Sequence, residues 1–258
     1  MKILLIDNSK ANLCEFTRLL ESKLTNMTSS LLCCQTVDDV INFTNSENFD
    51  AVILSGSSLN LSQPQKFDNI HKSVSALLRM SNIPVLGICF GMQMISTAYG
   101  GQIKRLSHVL NEQRTIHVQK GSVLLNGESC NINVTLSHQD FVEKIPSDFK
   151  SYSKLGDTHQ IIESVKFQRF GVQFHPERRV MNEQICILDN FLKYVCEKKN
   201  IPPRLQIDEL QRLQLVMDLK NNKTSWFDLE EKYNITRDHI MYIWRHHMNI
   251  WNLSAIML

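Results

Sequence analysis

The chain has 258 residues, of which 43% are hydrophobic and 21% are charged, and its net charge at neutral pH is +2. These values are ordinary for a globular protein with an adequate core, and they do not indicate an obligatory polyanionic partner. No stretch of about 18 residues is both apolar and free of charge, so we expect no membrane span. The seven cysteines include no Cys-x-x-Cys spacing, which is typical of free thiols in a reducing cytoplasm.

Strand-like and helix-like patterns alternate along the first 100 or so residues. The N-terminal apolar run, Lys2–Asp7, predicts a first strand rather than a signal peptide. Further strands are predicted at 31–36, 51–54 and 83–88, and helices at 12–24, 38–43 and 66–80. This order predicts an α/β fold with a mostly parallel central sheet flanked by helices.

The pattern changes after the Gly100-Gly101 pair. Between residues 103 and 134 the alternation of apolar and polar residues, with a turn at Gly121 and another at 126–127, predicts antiparallel edge strands or a hairpin. Sheet pairing is then predicted to resume near 134–136 and near 170–174, before a closing helix over 183–198.

The most specific local feature is a Gly-x-Cys-x-Gly turn, in which strand 83–88 runs into Cys89 and a helix follows. Such a turn is a nucleophile elbow, which lifts the central side chain clear of the sheet. Gly87 and Gly91 are expected there because a Cβ at either position would collide with neighbouring backbone. The turn also places Cys89 at a helix N-terminus, which favours the thiolate. A buried structural cysteine in a glycine-containing turn is the alternative.

A second apolar strand ends in His175-Pro176-Glu177. A cysteine nucleophile needs a base to take its proton, and the base needs an acceptor that fixes its tautomer. Because one residue separates His175 from Glu177, both side chains can leave the strand end on the same side. A lone His or Glu in this position is commonly structural, but the three together predict a Cys89–His175–Glu177 triad.

Three blocks of sequence together resemble the class I glutamine amidotransferases of the triad type, over residues 1–200. They are Gly-Ile-Cys-Phe-Gly-Met-Gln at 87–93, Leu-Ser-His-Gln-Asp at 136–140 and Gly-Val-Gln-Phe-His-Pro-Glu at 171–177. The middle block, with Ile145-Pro146 after it, is similar to the glutaminase domain of GMP synthase, and Gly-Met-Gln is typical of the same branch. Residues 187–192 look like the closing helix of that domain.

The resemblance implies contacts between three side chains and the substrate. Gln93 lies four residues after Cys89 and so shares a helix face with it. Gln93, Ser137 and His138 would contact the amino-acid end of glutamine. For Ser137 and His138 the alternative is that they are ordinary polar residues exposed to solvent.

The resemblance also implies an oxyanion hole, formed by backbone N–H groups of the Gly56-Ser57 corner and of Phe90. The chain departs from the family pattern at Ser57, where a second glycine is usual. If the corner required a positive φ at this position, serine would raise the energy of that conformation by about 1 kcal/mol. A strand-to-loop turn without catalytic purpose is the alternative.

A proline pair within residues 200–203 predicts a linker. We assign residues 1–200 to an amidotransferase-type domain and residues 204–258 to a helical extension that resembles a helix-turn-helix. Its three helices are marked by Leu210, Leu213 and Met217, by Trp226, Leu229 and Tyr233, and by Ile240, Ile243, Trp244 and His247. The extension holds seven Lys or Arg and seven Asp or Glu residues, which favours a packing or protein-contact role over nucleic-acid binding.

The resemblance implies a glutaminase that releases ammonia from L-glutamine with no cofactor and no metal ion. No Ser-Gly-Gly-Val-Asp-Ser phosphate loop is present, so we predict a synthetase partner of the ATP-pyrophosphatase type on a separate polypeptide. A regulatory or scaffold protein that keeps the fold without turnover is the main alternative, favoured by Ser57 and the extension but not by the intact triad. A γ-glutamyl hydrolase is a third interpretation, although the Gly-Met-Gln helix favours free glutamine.

Overall fold

A computed structural model of the chain describes residues 1–8, 15–25, 30–34, 49–62, 74–75, 78, 83–178, 186–199, 214–215, 217–220 and 225–233. The chain forms two compact units, Met1–Ile201 and Pro202–Leu258. The division lies within the predicted linker 200–203, whose residues are outside the described ranges.

The first unit is built on nine described strands. In chain order they are β1 Lys2–Ile6, β2 Ser30–Cys34, β3 Ala51–Leu54, β4 Val85–Ile88, β5 Gln102–Val118, β6 Cys130–Lys144, β7 Lys150–Leu155, β8 Thr158–Ser164 and β9 Arg169–Val172. Seven of them form one sheet in the order β2-β1-β3-β4-β9-β8-β7, and β5 pairs with β6 in a second sheet. Strands β2, β1, β3, β4 and β9 are parallel, while β8 and β7 add antiparallel pairs at one edge. The predicted fold class, an α/β fold with a mostly parallel sheet, is confirmed.

Apolar side chains cover both faces of the large sheet, because successive residues of a strand point to opposite sides. On β1, Ile3 and Leu5 belong to one core cluster, whereas Leu4 and Ile6 belong to the other. The α-helices of this unit include α1 Glu15–Thr25, α2 Phe90–Ala98 and α3 Ile187–Lys199, and Val123–Leu125 form a single 3-10 turn. Helices α1 and α3 contribute to the first cluster and α2 to the second, so helices flank both faces.

The predicted hairpin after Gly101 is present, but it is longer than expected and does not join the edge of the main sheet. Strands β5 and β6 pair antiparallel with a register shift between Arg105 and Leu110. Residues 134–136, where pairing with the main sheet was expected to resume, lie inside β6. This expectation was wrong because alternation of polar and apolar residues marks a half-buried strand without indicating which strand it pairs with.

Strands β7 and β8 were not predicted from the sequence. Every residue of β8 is buried, although Thr158, His159, Gln160, Glu163 and Ser164 are polar. The strand therefore lacks the apolar run on which the prediction relied, and hydrogen bonds within the fold satisfy its polar groups instead. For example, the Glu163 carboxylate accepts hydrogen bonds from Ser122 Oγ, Val123 N and Leu124 N.

In the second unit the structure describes helical residues at 214–215 and 217–220 and helix α4, Trp226–Tyr233. Ser225 and Asp228 cap α4 reciprocally, since Asp228 N donates to Ser225 Oγ at 3.2 Å and Ser225 N donates to Asp228 Oδ2 at 3.3 Å. Lys232 Nζ and Tyr233 Oη donate to Asp218 Oδ2 at 2.7 and 2.8 Å. These bonds join segment 217–220 to α4.

The apolar face predicted for the extension is only partly correct. Leu229 and Tyr233 are buried, as expected of the inner face of α4. Met217, however, is 54% exposed, and Leu215 is fully buried in its place.

Several predicted elements lie outside the described residues: the helix 38–43, most of the helix 66–80, the linker 200–203, and the extension helices marked by 210–213 and by 240–247. Within the described residues, no helix is long and apolar enough to cross a membrane.

Candidate active site

The elbow at Cys89 has the strained backbone that its sequence predicts. Strand β4 ends at Ile88, Cys89 has φ 51° and ψ −104°, and α2 begins at Phe90. A non-glycine residue in such a conformation costs roughly 1–3 kcal/mol and persists only when its surroundings impose it. Cys89 N donates to Val172 O at 2.7 Å, which ties the turn to the end of β9.

The glycines on either side of Cys89 are required by close backbone approach. A Cβ on Gly87 would overlap the carbonyl carbon of Gly91. A Cβ on Gly91 would lie 2.5 Å from Leu54 O at the end of β3. Both contacts are too short for any side chain, so the spacing Gly-x-Cys-x-Gly is a steric requirement of this turn.

The sulfur of Cys89 is enclosed by three groups from other parts of the chain. His175 is near enough for the charge of this sulfur to raise its pKa, Gln173 Nε2 donates to the sulfur at 3.5 Å, and Ser137 O lies 3.8 Å away. Cys89 is only 3% exposed. The sulfur therefore faces a base, a neutral donor and a carbonyl acceptor.

His175 and Glu177 form a buried pair beside this sulfur. His175 Nδ1 is 2.7 Å from Glu177 Oε1, and each residue is 2% exposed. Burial by itself lowers the pKa of His175, but the negative charge of the Cys89 sulfur, together with the hydrogen bond and charge of Glu177, outweighs burial and raises the pKa to about 10. The imidazole is thus held protonated as long as the sulfur beside it is negative.

Two backbone contacts hold the loop that carries this pair. His175 N donates to Thr135 O at 3.0 Å, which joins the end of the β9 segment to β6. Lys23 Nζ, from α1, donates to Pro176 O at 3.0 Å.

The Gly56-Ser57 corner follows β3 and lies against the nucleophile and its base. A Cβ on Gly56 would be 3.0 Å from His175 Cε1 and 3.7 Å from Cys89 Cβ. Neither Gly56 nor Ser57 has a positive φ, so the corner does not impose the conformation in which serine would be strained. Ser57 Oγ donates to Asn8 O at 3.0 Å and accepts from Leu59 N at 3.1 Å, bonds that a glycine could not make.

A pocket of about 310 Å³ opens beside Cys89. The three residues predicted to contact substrate, Gln93, Ser137 and His138, all line it, as do Ser57 and Phe90. Gly56 is not among the residues that line the pocket and lies against His175. Among the described residues, no group of three or more His, Cys, Asp or Glu side chains is placed to hold a metal ion.

His138 is held as a neutral imidazole with a defined tautomer. Its Nδ1 is 3.1 Å from Asp140 O, and because a carbonyl can only accept, Nδ1 carries the proton. Burial lowers the pKa of His138 to about 4, partly offset by the hydrogen bond to Asp140. Its Nε2 is therefore an acceptor, and within the described chain this buried atom has no partner.

Gln93 lines the pocket, but its amide nitrogen is already engaged. Gln93 Nε2 donates to Asp140 O at 2.7 Å and to Gln173 Oε1 at 3.3 Å. A contact between Gln93 and substrate remains a prediction.

Two residues of the site were missed from the sequence, although both lie in the motif blocks. Asp140 accepts hydrogen bonds from Ser62 N at 2.7 Å and from Ser62 Oγ at 2.8 Å, and Arg105 Nη1 is 3.6 Å from its Oδ1. Asp140 thus fastens the loop after Ser57 to the hairpin. Gln173 contacts the sulfur itself. Their place in the blocks was the only available signal, since neither contact is local in sequence.

Two solved structures have a similar fold. A putative GMP synthase subunit from Thermoplasma acidophilum matches with a TM-score of 0.64 and 21% identity, over 79% of this chain and 98% of that one. A glutamine amidotransferase from Thermotoga maritima matches with a TM-score of 0.52 and 18% identity, over 96% of this chain and 97% of that one. At these identities the likeness concerns the fold alone.

Curated relatives include glutamine-hydrolysing GMP synthases. The chain is 36% identical to the enzyme of Streptococcus mutans over 152 residues, which are 57% of this chain and 28% of that protein. It is 31% identical to the enzyme of Petrotoga mobilis over 204 residues, 77% of this chain and 37% of that protein. The chain thus spans well under half the length of these relatives.

A shorter relative is covered more fully. This relative, a subunit of the glutamine-hydrolysing GMP synthase of Saccharolobus solfataricus, is 34% identical over 154 residues, which are 59% of this chain and 79% of that protein. The family model described as glutamine amidotransferase class-I matches residues 4–195. The resemblance inferred from the motif blocks is confirmed, and the chain belongs to the class I glutamine amidotransferases.

Proposed function

We propose that this chain hydrolyses the side-chain amide of L-glutamine to glutamate and ammonia through a thioester on Cys89. One observation carries the proposal: Cys89 and His175 meet at the same corner, where a Cβ on Gly56 would be 3.7 Å from Cys89 Cβ and 3.0 Å from His175 Cε1, and His175 Nδ1 is 2.7 Å from Glu177 Oε1. A nucleophile that lines a pocket, with a base close to it and an acid that orients the base, is the arrangement that cysteine-based acyl transfer needs.

In the first half of the reaction, the Cys89 sulfur attacks the carboxamide carbon and a C–S bond forms. The oxygen becomes an oxyanion, which backbone N–H groups of Gly56 or Ser57 and of Phe90 would stabilise. His175 then gives its proton to the nitrogen, the C–N bond breaks, and ammonia leaves. A γ-glutamyl thioester remains on Cys89.

The second half needs His175 to act as a base. The negative sulfur is the largest contribution that raises its pKa, and thioester formation removes that charge. The imidazole, which has already given its proton to the leaving nitrogen, therefore stays neutral and can accept a proton from water, whose oxygen attacks the thioester. Glutamate is released and the starting protonation of Cys89 and His175 is restored, so one water is consumed for each glutamine.

The pocket offers groups suited to the amino-acid end of the substrate. His138 Nε2 is a neutral acceptor, which fits an N–H donor such as the α-ammonium group better than a carboxylate. Ser137 and Gln93, which also line the pocket, are assigned to substrate contacts by family resemblance.

We further propose that the ammonia is used by a GMP synthase-type synthetase on a separate polypeptide. The relatives from Saccharolobus solfataricus and Methanococcus maripaludis are each named as one subunit of a glutamine-hydrolysing GMP synthase, which supports an arrangement of separate chains. We assign residues 204–258 to docking or packing rather than nucleic-acid binding, because acidic and basic residues are equal in number there.

The decisive experiment measures glutamate and ammonia release by the purified chain, with and without an ATP-pyrophosphatase synthetase. Glutamate release from free glutamine, abolished in Cys89→Ala, is the expected result. No release under either condition would favour the alternative of a regulatory protein that keeps the fold. Faster release from γ-glutamyl peptides than from free glutamine would favour a γ-glutamyl hydrolase.

A further inference from the structure

Gln173 belongs to the block that ends in His175 and Glu177, but the reaction described above gives it no part. Its side chain is fully buried, and its Nε2 is 3.5 Å from Cys89 Sγ. The effect of a buried amide on the reacting sulfur depends on which end of the amide, the N–H donor or the oxygen acceptor, faces the sulfur.

The orientation of this amide is set by a chain of hydrogen bonds that begins at a backbone carbonyl. Asp140 O can only accept, so the Gln93 atom 2.7 Å from it must be the nitrogen. The same nitrogen is 3.3 Å from Gln173, whose facing atom must therefore be the oxygen. The NH₂ group of Gln173 is consequently the end that faces Cys89 Sγ.

The close packing of α2 against β9 makes this chain of bonds possible. A Cβ on Gly171 would lie 2.7 Å from Met92 Cγ, so glycine is what allows the helix to approach the strand here. Gln93 follows Met92 on the helix, and Gln173 lies two residues after Gly171. The two amides thus meet across the gap that Gly171 leaves.

We propose that Gln173 is a hydrogen-bond donor to the nucleophile that stabilises the Cys89 thiolate, and that Gln93 acts through it as a positioning residue. An N–H donor favours the anionic sulfur over the thiol, because hydrogen bonds to charged acceptors are stronger than those to neutral ones. The inference rests on the proposed function only in taking Cys89 as the nucleophile.

The test measures alkylation of Cys89 by iodoacetamide as a function of pH, by mass spectrometry, with the exposed Cys186 as an internal reference. Gln173→Met removes the donor at similar volume. Loss of one hydrogen bond to an anion should lower the alkylation rate of Cys89 about tenfold on the acidic side of the pH profile. The midpoint of that profile should move up by about one pH unit. At high pH the two rates should converge.

Gln160 offers a matched control. It is also a fully buried glutamine, on the neighbouring strand β8, and its amide nitrogen donates to Thr158 Oγ1 at 2.7 Å. Gln160→Met should affect stability as much as Gln173→Met does, while its alkylation profile stays that of the wild type.

Two further variants keep the test decisive. Gln173→Glu preserves shape but faces the sulfur with a carboxylate oxygen, so the midpoint of the alkylation profile should move up further than in Gln173→Met. This variant decides the question if Gln173→Met does not fold. Gln93→Met should shift the midpoint in the same direction, and combining it with Gln173→Met should add nothing.

Unchanged midpoints in folded Gln173→Met and Gln173→Glu would overturn the proposal, as would an equal shift in Gln160→Met. Because alkylation needs no glutamine, this outcome is separate from the failure of the glutaminase reaction itself. If the wild type shows no glutaminase activity but the Gln173 variants show the expected shift of the midpoint, the proposed function is contradicted and Gln173 remains a donor to the thiolate.

Discussion

His175 and Gly56 lie so close together that a Cβ on Gly56 would stand 3.0 Å from His175 Cε1. Gly56 has no positive φ, so its backbone conformation is open to any residue. A side chain at this position would therefore press against the imidazole, although the backbone conformation would accept one.

Gly56→Ala should consequently reduce glutaminase turnover about tenfold or more, because the added methyl displaces the imidazole from the sulfur. Steady-state kinetics should show the loss in kcat. Gly127→Ala is the control: no atom lies within 4 Å of its added Cβ, but its φ is 80°, so it should lose stability and keep kcat. Wild-type kcat in Gly56→Ala would mean that the methyl is accommodated without moving His175.

Cys89→Ala and Cys89→Ser should both abolish glutamine hydrolysis with little change in fold. Alanine has no nucleophile, and the serine hydroxyl does not form an alkoxide in the place where cysteine forms a thiolate. A glutamine analogue with an electrophilic carbon should label Cys89 ahead of the other cysteines. Mass spectrometry that found the label mainly on Cys33, Cys34 or Cys196 would contradict the assignment of the nucleophile.

The members of the triad should differ in their effects. His175→Ala should lose nearly as much activity as Cys89→Ala, and the double variant should lose no more, because the two residues act as a unit. Glu177→Gln should lose less, since it keeps a hydrogen-bond partner for Nδ1 but removes the charge. Equal activity in wild type and His175→Ala would remove His175 from the mechanism.

His138 should make the fold sensitive to mild acid. Its pKa is lowered to about 4 in the folded state from an ordinary value of 6.5, so between these values the unfolded chain binds more protons. The contribution of neutral His138 to the free energy of unfolding is fully present above about pH 6.5 and is lost as the pH falls toward 4. The loss is about 2 kcal/mol at pH 5.

Urea unfolding of wild type and His138→Gln at pH 7 and pH 5 checks this expectation. The variant should lose less free energy of unfolding between the two pH values than the wild type does. Identical losses would show that burial does not hold His138 neutral.

Removal of residues 204–258 should leave a folded first unit and alter either the oligomeric state or the binding of a separate synthetase. The chain divides at this point into two compact units, and the first contains the triad. Light scattering and a pull-down with the synthetase measure the effect. Duplex DNA binding by the full chain that is lost on truncation, with a steep salt dependence, would instead favour a nucleic-acid reader.

The same partner should control turnover. We expect weak glutaminase activity from the chain alone and stimulation when the synthetase is added. Full turnover without any partner would contradict this dependence.

The features with a local physical cause could be predicted from the amino-acid sequence. The elbow at Cys89 was predictable because steric exclusion around a tight turn requires glycine at 87 and 91, and the apolar runs of β1, β3 and β4 were predictable because strands buried on both faces need them. The pairing of His175 with Glu177 followed from their spacing. Each of these depends on neighbours within a few residues.

Features that join distant segments could not be predicted in this way and became visible in the folded chain. The hairpin β5–β6, whose pattern of alternation was visible, forms a sheet of its own, and β8 was missed because hydrogen bonds within the fold, rather than apolar side chains, allow its burial. Serine at position 57 is not strained, and this could be seen only from the backbone angles of the folded chain. Gln173 contacts Cys89 because Gly171 lets α2 approach β9 and because the carbonyl of Asp140, on β6, orients the amide of Gln93 that lies between. Three separate elements together set the direction of this hydrogen bond, so no spacing along the chain encodes it.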